Sequence, residues 1–418
     1  MDEIKIIPEK DYDAFTEIIV NAYPGEFGEF TDDDKDKMKE RLAKEQKDNK
    51  TIDFYGLYRE NQLLGVQRLH DFTMNMKGER LKVGGVGLVA VDLVHKKEGV
   101  AKGLITYFLK QLQEENVSMA ILYPFRADFY KKMGFGYGTK MNLYYFKPTS
   151  LPRHVNRKNV FHLTTEDILD TYNCYMEFFN NNHGMVLRNQ KTFEFYFKNK
   201  KDKIFVGYKS NNNLSGYLMF RFRKVKTDNF IYYDIVIEEL IYNNSEALLA
   251  LCSFLETQAD QINRIQFGTH DENLHFILSD ARNGSNNMYN TSQEINTQGR
   301  GIMYRIVDLK KFFVQLKKVT FGFETFNLKL RLIDSFLKEN DGIYYLEVKK
   351  GKIKPVENKE YDIEIEIEIA DFSSMVVGSI NFNDLVRYGL VKISDLKFIN
   401  KVNNTFTLIS KPICMTYF

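Results

Sequence analysis

The 418-residue chain has no tryptophan, although it carries 34 phenylalanines and 25 tyrosines. That gap reads as genomic bias in codon use, not as chemistry. It has little cysteine: Cys174, Cys252 and Cys414 are far apart and odd in number. This excludes a disulfide frame or a cysteine zinc site and points to reduced thiols in a cytoplasmic protein. It lacks an excess of either charge: 58 Lys and Arg stand against 56 Asp and Glu, a net of +2. A nucleic-acid protein would show a strong basic surplus, so that class is not expected. No apolar run approaches the ~20 residues of a membrane span. The opening "MDEIKIIPEKDYDAF" shows no basic stretch followed by an apolar one, so no signal peptide is expected. What is present, 44% hydrophobic and 27% charged residues, fits a folded chain, and the length predicts two or three domains.

The first third alternates helix and strand patterns. "DYDAFTEIIVNAY" has helical spacing. "TIDFYGLYRENQLLGVQRLHDFTMNM" predicts a hairpin turning at Glu60-Asn61. "LKVGGVGLVAVDLV" reads as a Val- and Gly-rich strand and "GVAKGLITYFLKQLQEEN" as an amphipathic helix. "SMAILYPF" is a short buried strand, "RADFYKKMGF" a short helix ended by Gly134, and "YGTKMNLYYF" a further strand. "KPTSLPRHVNRKN" has no periodicity and reads as a linker. The order strand-strand-strand-helix-strand then repeats. "DKIFVGYKSNNNLSGYLMFRFRKV" turns at Asn211 to Asn213, "NFIYYDIVIEELIY" is the third strand, and a helix capped by Ser245 precedes "RIQFGT". The polar "NGSNNMYNTSQEINTQGR" marks a second boundary. From about Met303 the pattern changes to α+β: helical "IDSFLKE", a hairpin "GIYYLEVKKGKIKPV", and a strand in which Ile363, Ile365, Ile367 and Ile369 alternate with acids. A helical "SINFNDLVRYGL" and a terminal strand "TFTLISKPICMTYF" follow. The acidic face of the alternating strand reads as a solvated outer face.

Chemistry concentrates in "VAVDLVHKKEGVAKGLITYFL". A strand ends near Val91, a short basic loop follows, and a helix starts at once. Backbone N–H groups at such a start, with the helix dipole, can hold a pyrophosphate. Gly99 allows close approach because it has no Cβ. The loop has the form Lys96-x-x-Gly99-x-Ala101, and about thirty residues later "DFYKKMGF" supplies a Tyr-x-x-x-Gly-Phe element. On these motifs residues 1–150 resemble the GNAT acyltransferases, with Lys96 where Arg or Gln is usual. The second unit repeats the strand order, but its loop "IYNNSEALL" has no Gly and no basic cluster, and it reads as a degenerate GNAT domain.

Two such units followed by an α+β segment resemble the Eis-like acetyltransferases, whose third domain is similar to the sterol carrier fold. "YPFRADFYKKMGFGYG" and "MYRIVDLKKF" match as well. The resemblance implies an α/β chain of two GNAT domains, each a mixed sheet flanked by helices, then an α+β sterol-carrier-like domain. The expected limits are 1–150, 151–290 and 291–418. It implies acetyl-CoA as co-substrate, no metal, an amine acceptor of aminoglycoside or polyamine type, no nucleic acid or membrane partner, and a hexamer. The cofactor would meet Val89, Ala90, Val91, Lys96, Lys97, Glu98, Gly99, Val100, Ala101, Lys102, Phe125 and Arg126. It also implies that the terminal carboxylate of Phe418 is the general base and Tyr130 the general acid. The residues alone read Phe418 as a strand end. His95, beside the loop, reads as a base or as a solvated loop residue; His183 reads as part of a polar cap or turn; Tyr123 as pocket lining or structural. His270-Asp271-Glu272, on an exposed loop, cannot converge on one metal ion. The alternative to an enzyme is a CoA- or lipid-binding scaffold protein.

Overall fold

The computed structural model describes residues 2–27, 30–153, 157–199, 202–225, 232–408 and 410–418. They form two units. One comprises Met1–Gly138, Ile302–Lys411 and Thr416–Phe418; the other comprises Thr139–Gly301 and Pro412–Met415.

In the first unit the hairpin turns at Glu60 and Asn61, both at positive φ; the short side chain of Asn61 tolerates the left-handed region. It opens a seven-stranded sheet in the order Glu3–Ile6, Ile52–Arg59, Gln62–Met76, Glu79–Val91, Met119–Leu122, Met303–Ile306, Gly136–Tyr137. Glu79–Val91 and Met119–Leu122 are parallel but pair only at Gly84↔Ala120 and Gly85↔Ile121. Beyond Gly85 the two strands part. The helix Val100–Glu114 crosses between them and buries Val100, Leu104, Ile105, Phe108, Leu109 and Leu112, its 3.6-period apolar stripe. The opposite face of the sheet is covered by Tyr12–Ala22 and Asp32–Asp48, which pack on Phe54, Tyr58 and Val66. The same unit holds a five-stranded sheet, Lys352–Pro355, Gly342–Lys349, Phe326–Ile333, Ile363–Glu368, Val391–Ile393. Its alternating strand buries Ile363, Ile365 and Ile367 and turns its glutamates outward, as expected, but it ends at Glu368, and Ile369, expected in it, is the first residue of the helix Ile369–Val376.

The second unit repeats the plan: Asn296–Arg300, Lys140–Phe146, Ile262–Thr269, Tyr233–Tyr242, Asn213–Lys224, Lys203–Ser210, Val160–His162. Its third strand is likewise parallel to the strand after the helix Ser245–Glu256.

Several local expectations are corrected. The helix Ser245–Glu256 is capped by Asn244, whose side chain accepts from the Ala247 N–H at 2.8 Å, so Ser245 is its first residue. "IDSFLKE" is a loop with a single 3-10 turn at Lys338–Asn340. The fully buried Asp334 accepts from the Phe336 and Leu337 N–H groups and pairs with the buried Arg305, which ties the segment to the core. Met303–Ile306 lies in the first sheet and Lys140–Phe146 in the second, against the expected placement in the third and first segments. Edge pairing decides membership here, and "MYRI" is buried throughout. Asn296–Arg300, inside the polar boundary stretch, pairs with Lys140–Phe146. The terminal strand is absent: Ile399–Phe406 is a helix, and the described residues after it form no strand. Pro412 has no N–H to give a ladder, and the tail's backbone groups bond singly to side chains and turns. Residues 154–156 of the expected linker, 226–231 before the third strand of the second unit, and 409 lie outside the described residues.

Candidate active site

The site forms where the strand Glu79–Val91 departs from regular pairing. Its register against Gln62–Met76 shifts between Val66↔Ala90 and Arg68↔Gly87. The extra residue falls at Leu88, at φ +50°. This is a β-bulge, a device that frees backbone groups and re-aims side chains. With Met119–Leu122 already diverging, the backbone from Val86 to Val91 has no strand partner on that side among the described residues. The Val89 carbonyl is taken by the Tyr23 hydroxyl at 2.9 Å.

Phe418 sits on this bulge. A Cβ on Gly87 would lie 3.0 Å from the Phe418 carboxyl carbon and 3.1 Å from its oxygen, so glycine is what lets the carboxyl group lie flat on the strand. Arg68 Nη2 is 3.7 Å from the same point. The ring stands against Phe72 at 4.9 Å, His70 at 5.3 Å and Tyr123 at 5.3 Å between centroids. His70 is itself stacked on Phe72 at 4.8 Å and 12°. The Tyr123 hydroxyl donates to the Thr416 carbonyl at 3.2 Å. Burial, then the neighbouring Arg68, push the His70 imidazole well below its ordinary value, so it is neutral at pH 7. Burial also lowers Arg68, whose Nη1 is 3.7 Å from Glu45.

Tyr130 lies in the helix Ala127–Lys131 and is 3% exposed, edge-on to Phe129, Phe135 and Phe125. Burial, with Tyr23 nearby, raises its phenol far above the ordinary value, while Tyr23 is pushed up to about 12. The end of this element is fixed by Arg305, whose Nη1 donates to the Met133 carbonyl. Arg305 is paired with Asp334 at 2.7 Å, both fully buried. Gly134, at φ +82°, leaves the guanidinium its space.

The expected cofactor loop behaves unevenly. Gly99, at φ +86°, is the N-cap of Val100–Glu114 and offers no side-chain cap, so the first N–H groups of the helix keep no partner of that kind. No atom lies within 4 Å of where its Cβ would be. Lys96, Lys97 and Lys102 are exposed around this start, whereas Val100 is 2% exposed and faces the core. Ala101 packs on the core and Ala90 is 2% exposed, so each can offer only backbone. Val89 is buried and Val91 half-buried. Glu98 is paired with Arg59 at 2.7 Å; His95 Nδ1 is 3.3 Å from it. Arg126 is held by Asp128 at 2.6 Å. Phe125 is 66% exposed, so it is not core. A CoA fits these features: an open helix start ringed by lysines, strand backbone with no strand partner on one side among the described residues, and exposed apolar Phe125, Leu93 and Val94. His183 is a buried turn residue. His270 is buried at a strand end with Nδ1 3.0 Å from the Lys140 carbonyl, which corrects its placement on an exposed loop. Among the described residues no group of three ligands could hold a metal ion.

Sequence reasoning passed over Tyr23, Arg68, His70, Phe72, Gly87 and Leu88. The signal for some of them was the Gly-Gly-Val-Gly run: two of its glycines, Gly85 and Gly87, are where Phe72, His70 and Phe418 pack directly on backbone.

Residues 3–138 match the acetyltransferase (GNAT) domain, residues 184–306 match a second acetyltransferase (GNAT) domain, and residues 313–415 match the sterol carrier protein domain. No curated protein matches the sequence significantly. Among solved structures, a GCN5-related N-acetyltransferase from Anabaena variabilis is similar at TM-score 0.82 and 16% identity, covering 100% of both chains. A probable N-acyltransferase from Enterococcus faecalis gives 0.78 at 18%, and Eis1 from Mycobacterium abscessus 0.76 at 17%, each again over 100% of both chains. At such identities the likeness establishes the fold. The chain is an acyltransferase of Eis-like architecture, two GNAT domains followed by a sterol-carrier-like domain.

Proposed function

We propose that the first GNAT domain transfers acetyl from acetyl-CoA to an amine of a small molecule of aminoglycoside or polyamine type, by direct attack. The observation that carries this is the Phe418 carboxyl group lying on Gly87 beside the bulge, with the Phe418 ring held among His70, Phe72 and Tyr123. The pyrophosphate would be held by backbone N–H groups from about Lys97 to Lys102, and the pantetheine arm by Val89, Ala90 and Val91. Phe125 and Arg126 border the same place. Bound acetyl-CoA supplies a thioester, an acyl group reactive toward a neutral amine.

The acceptor arrives as ammonium at pH 7 and must lose a proton before it can attack. The Phe418 carboxylate takes that proton. The contacts of the Phe418 ring hold the carboxylate in place on Gly87, and Arg68 lies on the neighbouring strand opposite Gly87. Tyr130, kept protonated by burial, gives its phenolic proton to the departing sulfur. The neutral His70 offers no competing positive charge. The second GNAT domain binds no CoA in this reading, because its helix start is already capped by the Asn244 side chain and carries no basic cluster. The family resemblance extends the reading to a hexamer working in the cytoplasm. The test is thiol release from acetyl-CoA across a panel of polyamines and aminoglycosides. Release that depends on an amine supports the proposal; release with none of them contradicts it.

A further inference from the structure

The second GNAT domain has the same construction at the place where the first has its catalytic centre. Its third strand, Tyr233–Tyr242, also bulges against the strand before it, the register passing from Phe220↔Ile237 to Met219↔Glu239 with Glu238 as the extra residue. Pairing with Ile262–Thr269 ends at Ile237↔Phe267, so the two strands also part at the bulge. Here the gap holds protein. Arg188 Nη1 donates to Glu239 Oε1 and Oε2 at 2.6 and 2.8 Å, with both side chains at most 4% exposed. The Tyr217 hydroxyl donates to the same carboxylate at 3.2 Å, and the guanidinium lies 4.5 Å over the Tyr175 ring. A buried ion pair gains little over packed apolar residues, so its use lies in direction. Arg188 Nη2 donates to the Met415 carbonyl.

Met415 is the last of four consecutive tail residues seated in this unit. The Thr139 hydroxyl donates to the Pro412 carbonyl at 2.6 Å. The Ile413 N–H donates to the His183 carbonyl at 2.9 Å. Gly184, at φ +89°, has no Cβ where one would lie 2.7 Å from Pro412 and 2.8 Å from Ile413. Ile413 and Met415 pack on the core that contains Tyr175, Phe179 and Met185, and Cys414 is fully buried. We propose that the second GNAT domain is a receptor for the chain's own tail, its former acyl site being the slot, and that Arg188 is a positioning residue for Phe418. The proposal rests on Phe418 acting as the base. Holding Met415 fixes the start of the last three residues, so the terminal carboxylate is delivered at a set length.

Full-length Arg188→Lys keeps the charge and loses the fork that reaches both Glu239 and Met415. Thr139→Val removes one tail hydrogen bond, leaves the Arg188–Glu239 pair intact, and is the variant to use if Arg188→Lys folds poorly. Amide exchange over residues 412–418, kcat, and KM for acetyl-CoA are measured for each. Faster exchange confined to the tail is expected, with kcat down by up to about 10²-fold and KM little changed, because small misplacements of a catalytic group cost that much. Unchanged tail exchange in both variants would overturn the proposal. A loosened tail with unchanged kcat would leave the slot standing and overturn the role given to Phe418.

Discussion

The carboxyl group of Phe418 rests on the backbone of Gly87, one residue before the bulge at Leu88, with 3.0 Å between its carbon and the place a Cβ would occupy. That spacing makes Gly87→Ala a sharp probe. The added methyl meets backbone, which cannot rotate away, so the terminus must shift by a few tenths of an ångström. Turnover should fall by about tenfold or more, with acetyl-CoA affinity retained, because the methyl is aimed at Phe418. Steady-state kinetics and calorimetric CoA titration check this. Unchanged kcat would mean that the carboxyl group at this point does no chemistry.

Gly99→Val probes the cofactor loop. Space is not the obstacle, since nothing stands within 4 Å of the new Cβ. The obstacle is φ +86°, a left-handed conformation that costs a residue with a side chain about 1–2 kcal/mol and a β-branched one more. Relief by shifting the helix start should weaken CoA binding by about tenfold. Calorimetry reads it directly; an unaltered dissociation constant would move the pyrophosphate elsewhere.

Tyr130→Phe tests the proton donor. It keeps the edge contacts with Phe125, Phe129 and Phe135 and removes one hydroxyl. Turnover on amines should fall by roughly 10²–10⁴-fold, the usual worth of a general acid, with acetyl-CoA binding little changed. Pre-steady-state thiol release is the measurement. Since burial raises the phenol, Tyr130 should cause no basic limb below its ordinary value of ~10.

His70 makes a prediction about stability. Its folded value is depressed, so its contribution is fully present above the unfolded value of ~6.5 and is lost as the pH falls below that. Each such group removes up to about 1.4 kcal/mol per pH unit there. His70→Phe keeps an aromatic ring against Phe72 and Phe418 and does not titrate. Melting temperatures from pH 7 to pH 5 should fall less steeply in the variant than in the parent; equal slopes would show that His70 is not buried as a neutral ring.

Elements with strong local signals were legible: the Glu60-Asn61 turn, the helix after Gly99, and the strand of alternating isoleucines over residues 363–367. Their periodicity and turn chemistry act over a few residues. Strand membership was not legible, because Met303–Ile306 and Lys140–Phe146 are recruited by edges far away in sequence. The bulge at Leu88 was hidden because a non-glycine at positive φ leaves no compositional mark. The roles proposed for Tyr130 and Phe418 come from family likeness alone; Arg68 and His70 alternate with apolar residues on a strand and look like any polar position. The Asp334 loop was misread because its helical spacing is overridden by the buried ion pair of Asp334 with Arg305, a partner outside the local pattern.

The role of Phe418 is tested most directly by one steady-state assay of three forms: the native terminus, a short C-terminal extension, and the Phe418 deletion, with melting temperatures alongside. The extension turns the carboxylate into a neutral amide and adds bulk at Gly87. The deletion leaves a carboxylate short by ~3.3–3.6 Å of chain, too far for direct proton transfer. Both should nearly abolish acetyl transfer while melting stays close to the parent, and an N-terminal extension should be harmless. Full activity in the C-terminally extended form would contradict the account.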